Sequence, residues 1–266
     1  MPADRVYRTE AIVLRQRRLG DADKILVLFT PGRGRVEAVV KGVRRTRSRM
    51  AGHVEPLTRV NLLLAKGRNL DIVTQAQATE TYPAMRADLD RLSRGLYVAE
   101  VLDRLTGEPE ENPPLFRLLA ETLLRLDRTP EPDAALRYFE MQALDLLGYR
   151  PQVDACASCG RQLEPVLNYF NCLAGGAICT KCLPVDAYGD RLTVNALKYL
   201  RVLQRGTFGD VERVRLPDPL AVEIERHVRG LVRTVMEREP RSAQFLDAVR
   251  RTQLAAVAEP AATWGE

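Results

Sequence analysis

Two Cys-x-x-Cys pairs constrain the fold of this chain more than any other feature. The first pair is Cys156 and Cys159, the second is Cys179 and Cys182, and nineteen residues separate them. Each pair presents two sulfur ligands to one ion, and the intervening segment lets both pairs complete one tetrahedron. Because four thiolates fill the coordination shell, the pattern predicts one structural zinc ion (Zn2+) per chain that stabilises a small lobe.

A fifth cysteine, Cys172, lies between the two pairs and has no partner at the same spacing. It could compete as a ligand, but we favour a small packed thiol. An alternative for the pairs themselves is thiol oxidoreductase chemistry, which requires an accessible thiolate of lowered pKa. Four of five cysteines in metal-ligand spacing indicate a reducing compartment. No apolar run approaches the ~20 residues of a membrane span or resembles a secretory leader, so we expect a cytoplasmic protein.

The basic residues are unevenly distributed along the 266-residue chain. The whole sequence carries a net charge of +5, but residues 1–80 contain 16 Lys and Arg against 8 Asp and Glu, a net charge of +8. The remainder has a net charge of −3. This asymmetry predicts that the N-terminal segment faces a nucleic acid and that the rest of the chain is an ordinary folded body.

The same N-terminal segment is rich in β-forming residues. Apolar or alternating stretches separated by turn residues predict five short strands. These strands lie at residues 11–14, 24–29, 35–41, 57–66 and 70–77. Glycine-containing turns follow the second and fourth strands, where a tight reversal needs positive φ. Five short strands in a segment of this length predict a small closed barrel of the oligonucleotide-binding (OB) type.

A dense run of cations lies between the third and fourth predicted strands. Glycine, threonine and serine separate these cations, which predicts an exposed, flexible loop. Guanidinium groups bind phosphate oxygens bidentately, so we favour binding of a nucleic-acid backbone over a solvated loop without a ligand. No recognition helix accompanies the run, and sequence-specific binding is not indicated. With two arginines of the preceding turn, the predicted nucleic-acid-binding residues are Arg33, Arg35, Lys41, Arg44, Arg45, Arg47 and Arg49.

No combination of residues in the sequence indicates an enzyme. The chain has only two histidines, His53 and His227, and the acidic residues of the N-terminal segment are too scattered for two-metal chemistry. Neither a nucleophile elbow nor a Walker motif occurs. The predicted function is therefore binding. His53, near the basic loop, is interpreted as a surface histidine, although it could touch a phosphate.

After about residue 83, apolar residues recur every three or four positions, which predicts amphipathic helices. The predicted helices span 89–105, 113–126, 132–147, 195–205 and 219–239. The resulting organisation is an OB-fold barrel at 1–80, an all-helical domain at 81–152 and 186–250, and a zinc-binding insertion at 153–185. Residues 251–266 are expected to form a disordered tail.

Several stretches of the sequence together resemble one known family. They are AIVL at 11–14, DADK at 21–24, FEMQALDLLGYRP at 139–151, CASCG at 156–160 and GGAICTKC at 175–182. Their order and spacing along nearly the whole chain resemble the RecO family of bacterial recombination mediators. Cys172 departs from the four-cysteine pattern and has no assigned role.

This resemblance implies an N-terminal OB fold, an all-helical C-terminal region and a zinc-binding insertion. It also implies binding of single- and double-stranded DNA, annealing of complementary strands, and location at the nucleoid. The implied partners are RecR and single-stranded DNA-binding protein. Together with RecR, proteins of this family help to load RecA onto DNA that is covered by single-stranded DNA-binding protein. The alternative is a non-catalytic zinc-containing adaptor whose helical and zinc regions recruit a partner and whose contact with DNA is incidental.

Overall fold

The computed structural model describes residues 5–107, 109–183 and 189–258, and it begins with a closed five-stranded barrel. The strands are β1 (Val6–Leu19), β2 (Asp23–Thr30), β3 (Gly34–Val40), β4 (Arg59–Ala65) and β5 (Asp71–Glu80). Their order around the barrel is β1-β2-β3-β5-β4, with β3 and β5 parallel and the other pairs antiparallel. Strand β1 pairs with β4 through its first half and with β2 through its second, which closes the barrel. The OB fold predicted from the sequence is confirmed.

Strands β1 and β2 are buried on both of their faces. Leu26 and Leu28 point into the barrel, where they join its interior core. On the opposite face, Leu14, Val27 and Phe29 are buried in a second core that they share with the helices. Burial on both faces explains why these strands contain continuous apolar runs rather than an alternation of apolar and polar residues.

Helices form most of the remaining described residues. They are α1 (Pro83–Ala87), α2 (Leu89–Leu105), α3 (Pro113–Arg128), α4 (Pro132–Leu146), α5 (Val194–Arg205), α6 (Phe208–Glu212), α7 (Asp218–Met236) and α8 (Arg241–Ala258). The side chains of Asp88, Asn112 and Thr193 accept backbone N–H groups at the starts of α2, α3 and α5, and this fixes where these helices begin. Within the described ranges, no helix has the length and apolar character needed to cross a membrane.

Helix α8 corrects the expected start of the disordered tail. Its residues Ala243 and Leu246 are buried in the core with α2. Glu100 of α2 accepts the backbone N–H groups of the first two residues of α8, at 3.2 and 2.8 Å. Residues 251–258 are therefore helical rather than disordered, and residues 259–266 lie outside the described residues.

The interior of the helical body contains ionised side chains. Glu140 of α4 is fully buried, pairs with Arg137 of the same helix at 3.1 Å, and accepts a hydrogen bond of 2.6 Å from the hydroxyl of Tyr97 in α2. Burial is the strongest influence on Glu140 and raises its pKa, against the attraction of the Arg137 guanidinium. Nearer the surface, Arg250 of α8 forms a 2.8 Å ion pair with Glu225 of α7.

Glu225 gives the fold a predictable response to acid. Burial raises the pKa of Glu225, but the charges of Arg137 and Arg250 outweigh burial and hold the pKa below its ordinary value. A carboxyl group of this kind stabilises the fold above its unfolded-state pKa, about 4.3. That contribution is lost as the pH falls through the lower folded-state pKa.

We therefore expect Glu225→Gln to lower the free energy of unfolding at pH 7, and the difference from the wild type to shrink below about pH 4. Urea unfolding of both proteins at neutral and acidic pH measures this difference. A difference that stays constant across the two conditions would contradict the ion-pair assignment.

The four-cysteine segment forms a small lobe between α4 and α5. Its three-stranded sheet contains β6 (Asn168–Asn171), β7 (Gly176–Ile178) and β8 (Asp190–Leu192), in the order β7-β6-β8. Strand β8 lies beyond residue 185, where the insertion was expected to end, because it pairs with β6 and continues the sheet. Phe170 and Leu192 join the core of the helical body and hold the lobe against it.

Candidate nucleic-acid interface and metal centre

The basic loop leaves the end of β3 and is anchored to one end of the barrel. Gly42 has a left-handed conformation (φ +64°), and its N–H donates to Oδ1 of Asp23 at 2.7 Å. The backbone N–H of Arg44 donates to the carbonyl of Ala22 at 3.0 Å, and its Nη1 donates to the carbonyl of Asp21 at 2.8 Å. The base of the loop is therefore fixed against the β1–β2 turn.

Five of the predicted cations lie on this loop and are exposed, including Arg44, whose guanidinium also contacts the β1–β2 turn. We call them the loop-end surface: Lys41, Arg44, Arg45, Arg47 and Arg49. In the described part of the chain, none of the five forms an ion pair, whereas most other barrel arginines do. Cations that are exposed, uncompensated and carried on a fixed base can form charge-assisted hydrogen bonds with phosphate.

The structure places Arg33 at the other end of the barrel. It lies in the β2–β3 turn, with its guanidinium 4.4 Å from the ring centroid of Tyr7 and 3.6 Å from a carboxylate oxygen of Asp71. Strand β2 separates this turn from the basic loop, and its eight residues span about 25 Å. Arg33 therefore does not extend the phosphate track of the loop-end surface.

Arg35 faces the helical body. Its Nε donates to Asp103 of α2 at 2.8 Å and its Nη2 donates to Glu37 at 3.0 Å, which leaves the side chain 21% exposed. Asp103 also pairs with Arg15 of β1, so one carboxylate connects two barrel strands to the helices. Burial raises the pKa of Asp103, but the two guanidinium groups outweigh burial and hold it below its usual value. This geometry favours a structural role for Arg35.

His53 also differs from the expectation of a surface residue. It is half-buried, and its Nδ1 accepts the backbone N–H of Ala78 in β5 at 3.2 Å. His53 instead ties the short 3-10 turn Ala51–His53 to the barrel.

One exposed cation beside the loop-end surface was not predicted. Arg18 lies near the end of β1 and pairs across the strands with Lys24, which in turn pairs with Val40 next to Lys41. Arg18 is exposed, and it has no carboxylate partner within the described ranges. Its position was not predicted, because the apolar run that predicts β1 ends at Leu14 and the next four residues of the strand are polar.

The face that OB barrels commonly use for oligonucleotides is covered in this chain. In such barrels, strands 2 and 3 form the binding face, bordered by the β1–β2 and β4–β5 loops. Here the outward side chains Val27 and Phe29 of β2 are buried against the helices, and α3 contacts β2. The loop-end surface, rather than this face, is therefore the candidate nucleic-acid interface.

The four cysteines of the two pairs converge in space. Their Sγ atoms all lie within 4.8 Å of one another, and those of Cys159 and Cys179 are 3.9 Å apart. A tetrahedral zinc ion with Zn–S bonds of about 2.3 Å would place its sulfurs about 3.8 Å apart. The N–H of Gly160 donates to the carbonyl of Cys156 at 2.8 Å, and that of Cys182 donates to Cys179 at 3.0 Å, so each pair forms a turn. This cluster could hold a metal ion.

The surroundings of the cluster shift the pKa values of two of its thiols in opposite directions. Burial raises the pKa of Cys156, but backbone N–H groups, first that of Cys179, outweigh it and lower the pKa to about 6. Hydrogen bonds with the thiols of Cys159 and Cys179 raise the pKa of Cys182 to about 12. Four thiols this close cannot all lose their protons unless a cation compensates the charge. The donor set therefore fits a tetrathiolate metal site.

Cys172 lies outside this cluster, in agreement with its interpretation as a packed thiol rather than a ligand. Its Sγ is 3.9 Å from the carbonyl oxygen of His227 in α7. A Cβ atom at Gly230 would come within 2.7 Å of the same sulfur, so glycine at that position makes room for it. Burial raises the pKa of the Cys172 thiol, which disfavours the reactive thiolate.

The fold and the two candidate sites define a class: OB-barrel proteins with a helical body that carries a four-cysteine lobe able to hold a metal ion. The family model of the recombination protein O N terminal matches residues 4–82, and that of the recombination protein O C terminal matches residues 86–244. The chain belongs to the RecO family of DNA repair proteins.

Curated relatives that carry the name DNA repair protein RecO are similar over most of their length. The relative from Roseiflexus sp. (strain RS-1) is 42% identical over 248 residues, which is 93% of this chain and 87% of the relative. That from Dehalococcoides mccartyi (strain CBDB1) is 34% identical over 93% of this chain and 98% of its own length. The relative from Bifidobacterium animalis subsp. lactis (strain AD011) is 36% identical over 91% of this chain and 99% of its own length. These names describe DNA repair proteins and no catalytic activity.

Proposed function

We propose that this chain is a DNA-binding recombination mediator and not an enzyme. It anneals complementary single strands and, with RecR, helps to load RecA onto DNA coated by single-stranded DNA-binding protein. The observation that carries the proposal is the loop-end surface, whose five exposed cations have no carboxylate partner among the described residues and stand on an anchored loop base. Membership of a DNA repair family supports the same role.

The chemistry of the barrel suits annealing because it binds backbones and leaves bases free. The barrel segment has two aromatic residues before residue 81, Tyr7 and Phe29. Phe29 is buried in the core, and the ring of Tyr7 is covered by Arg33. Without stacking platforms, binding depends on phosphate contacts and does not engage base edges. A strand held in this way keeps its Watson–Crick edges available for a complementary strand.

The cysteine cluster has a supporting role in this proposal. Thiolate ligands in a tetrahedral arrangement select zinc among common divalent ions. One zinc ion bound by Cys156, Cys159, Cys179 and Cys182 would have no open coordination position and would act by stabilising the lobe.

The triple substitution Arg44→Ala/Arg45→Ala/Arg47→Ala tests the loop-end surface. Each single-strand phosphate contact contributes about 0.7 to the salt slope of log K. Loss of three contacts should therefore weaken binding at this surface about 50-fold at 0.15 M salt and lower its salt slope by about 2, for every sequence tested. Fluorescence anisotropy with short single strands, repeated over a salt series, measures both quantities.

The matched control is Arg117→Ala/Arg128→Ala/Arg215→Ala, which removes three exposed arginines of the helical body. It should bind DNA like the wild type. The loop variant should still be captured by immobilised RecR while losing strand annealing. An unchanged affinity for single strands and an unchanged salt slope in the loop variant would refute the assignment of DNA binding to this surface.

A further inference from the structure

A second group of exposed cations lies at the end of the barrel opposite the loop-end surface. We call it the turn-end surface: Arg5, Arg8, Arg33, Lys66 and Arg68. It combines the start of β1 with the β2–β3 and β4–β5 turns. In the described residues, only Arg33 of this group forms an ion pair, and its N–O distance is a long 3.6 Å.

Backbone pairing brings these cations together although they are distant in sequence. The N–H of Lys66 donates to the carbonyl of Arg5 at 2.8 Å, and Arg8 lies opposite Leu63 of β4. The two turns also meet, because Arg33 and Asn69 line the same open cleft. Lys66 and Arg68 of the β4–β5 turn are exposed, so a bound strand can reach them although the usual OB face is covered.

The carboxylates near the turn-end surface do not cancel its charge. Asp71 accepts the hydroxyl of Tyr7 at 2.5 Å and the N–H of Gly67 at 3.2 Å, in addition to the contact with Arg33. Glu10 forms a 2.7 Å ion pair with Arg59. Three further glutamates lie beside the β2–β3 turn: Glu37 and Glu111 line the cleft with Arg33, and the backbone of Glu110 packs against Gly34. Glu37 is compensated by Arg17 and Arg35, so among the described residues five cations face Asp71, Glu110 and Glu111, and the surface keeps an excess of positive charge.

The distance between the two cationic surfaces is several times the electrostatic screening length, so neither surface influences the other. The eight residues of β2 place the ends of the barrel about 25 Å apart. The Debye length at 0.15 M salt is about 8 Å. Between the ends, the outer face of β2 is covered by helices. A phosphate bound at one end therefore neither repels nor assists a phosphate at the other.

We propose that the turn-end surface is a second phosphate-binding site, so that one chain holds two nucleic-acid strands at once, one at each end of the barrel. This proposal rests on the proposed binding of DNA at the loop-end surface. It gives annealing a simple geometry: two strands are brought to one protein while their bases stay unpaired and accessible. Neither surface alone can supply this bridging.

A strand-bridging assay tests the proposal with the full chain. A non-complementary oligothymidine of about 6 nucleotides, within the site size of one OB barrel, is immobilised on beads. The protein is added, followed by a labelled oligothymidine of the same length. The wild type should capture the label. The variant Arg5→Ala/Arg8→Ala/Lys66→Ala/Arg68→Ala should stay on the beads through its loop-end surface and capture on the order of a hundredfold less label, from the loss of four phosphate contacts.

The matched control removes four exposed arginines of the helical body, Arg117, Arg128, Arg215 and Arg238, and should capture label like the wild type. Arg33 is left in place because it packs on Tyr7. Undiminished capture by the turn-end variant overturns the second site, as does equal loss in the control. Failure of the wild-type protein to stay on the beads at all would instead reject the proposed DNA binding.

Discussion

Replacing Cys159 and Cys179 together by serine is expected to unfold the cysteine lobe and to lower the free energy of unfolding of the chain by on the order of 5 kcal/mol. One ligand is removed from each pair, and their sulfurs are 3.9 Å apart in the cluster. The lobe has strands of three or four residues, so it has little sheet of its own to hold it together without the ion. A domain with an ordinary stability of 5–15 kcal/mol would lose much of it.

Metal analysis and urea unfolding measure this effect. The wild type should contain one zinc ion per chain, and a strong chelator should reproduce the destabilisation of the double variant. Cys172→Ser is the control, because Cys172 lies outside the cluster, and this variant should keep its zinc. A double serine variant with unchanged unfolding would refute the structural role. A metal-free wild type that reduces disulfides would restore the thiol oxidoreductase alternative.

Glu140→Ala is expected to destabilise the helical body by about 3–5 kcal/mol, because it removes the direct ion-pair partner of the buried Arg137. Arg137 would remain buried in α4 without its 3.1 Å ion pair, and the hydroxyl of Tyr97 would lose its acceptor. Another guanidinium nitrogen of Arg137, Nη2, already lacks a hydrogen-bond partner among the described residues.

Glu121→Ala provides the comparison for this prediction. Glu121 forms a similar pair with Arg125 one helical turn away, but its side chain is 56% exposed, and such a pair contributes only about 0–1 kcal/mol. The double variant Arg137→Met/Glu140→Leu should recover most of the stability, because it removes both buried charges. Equal unfolding free energies for Glu140→Ala and Glu121→Ala would show that the buried pair contributes no more to stability than the exposed pair.

The sequence predicts the elements whose signal is local. The strands of the barrel are continuous or alternating apolar runs, and five helices have apolar stripes closed by glycine or proline. The cysteine cluster is predictable because metal ligands need fixed spacing within each turn. The family resemblance depends on the order of these same features.

Contacts between residues that are distant in the sequence could not be predicted. The sequence predicts Arg35 as a free cation, but in the fold α2 places Asp103 within hydrogen-bonding distance of it. Arg18 is adjacent to the basic loop only through cross-strand pairing of polar residues. Strand β8 consists of three residues, too few for a periodic pattern, and forms only because β6 is beside it. Each of these outcomes is decided by tertiary contact rather than by local propensity.

The burial of Val27 and Phe29 against the helices also determines how this protein can be dissected in the laboratory. A fragment ending after β5 would expose these side chains to water, and the complementary fragment would expose the helical surface that covers them. We expect both fragments to aggregate rather than to behave as autonomous modules. Functions should therefore be assigned by charge substitutions on the intact chain, because a truncated protein that fails to bind would report lost solubility and not a lost site.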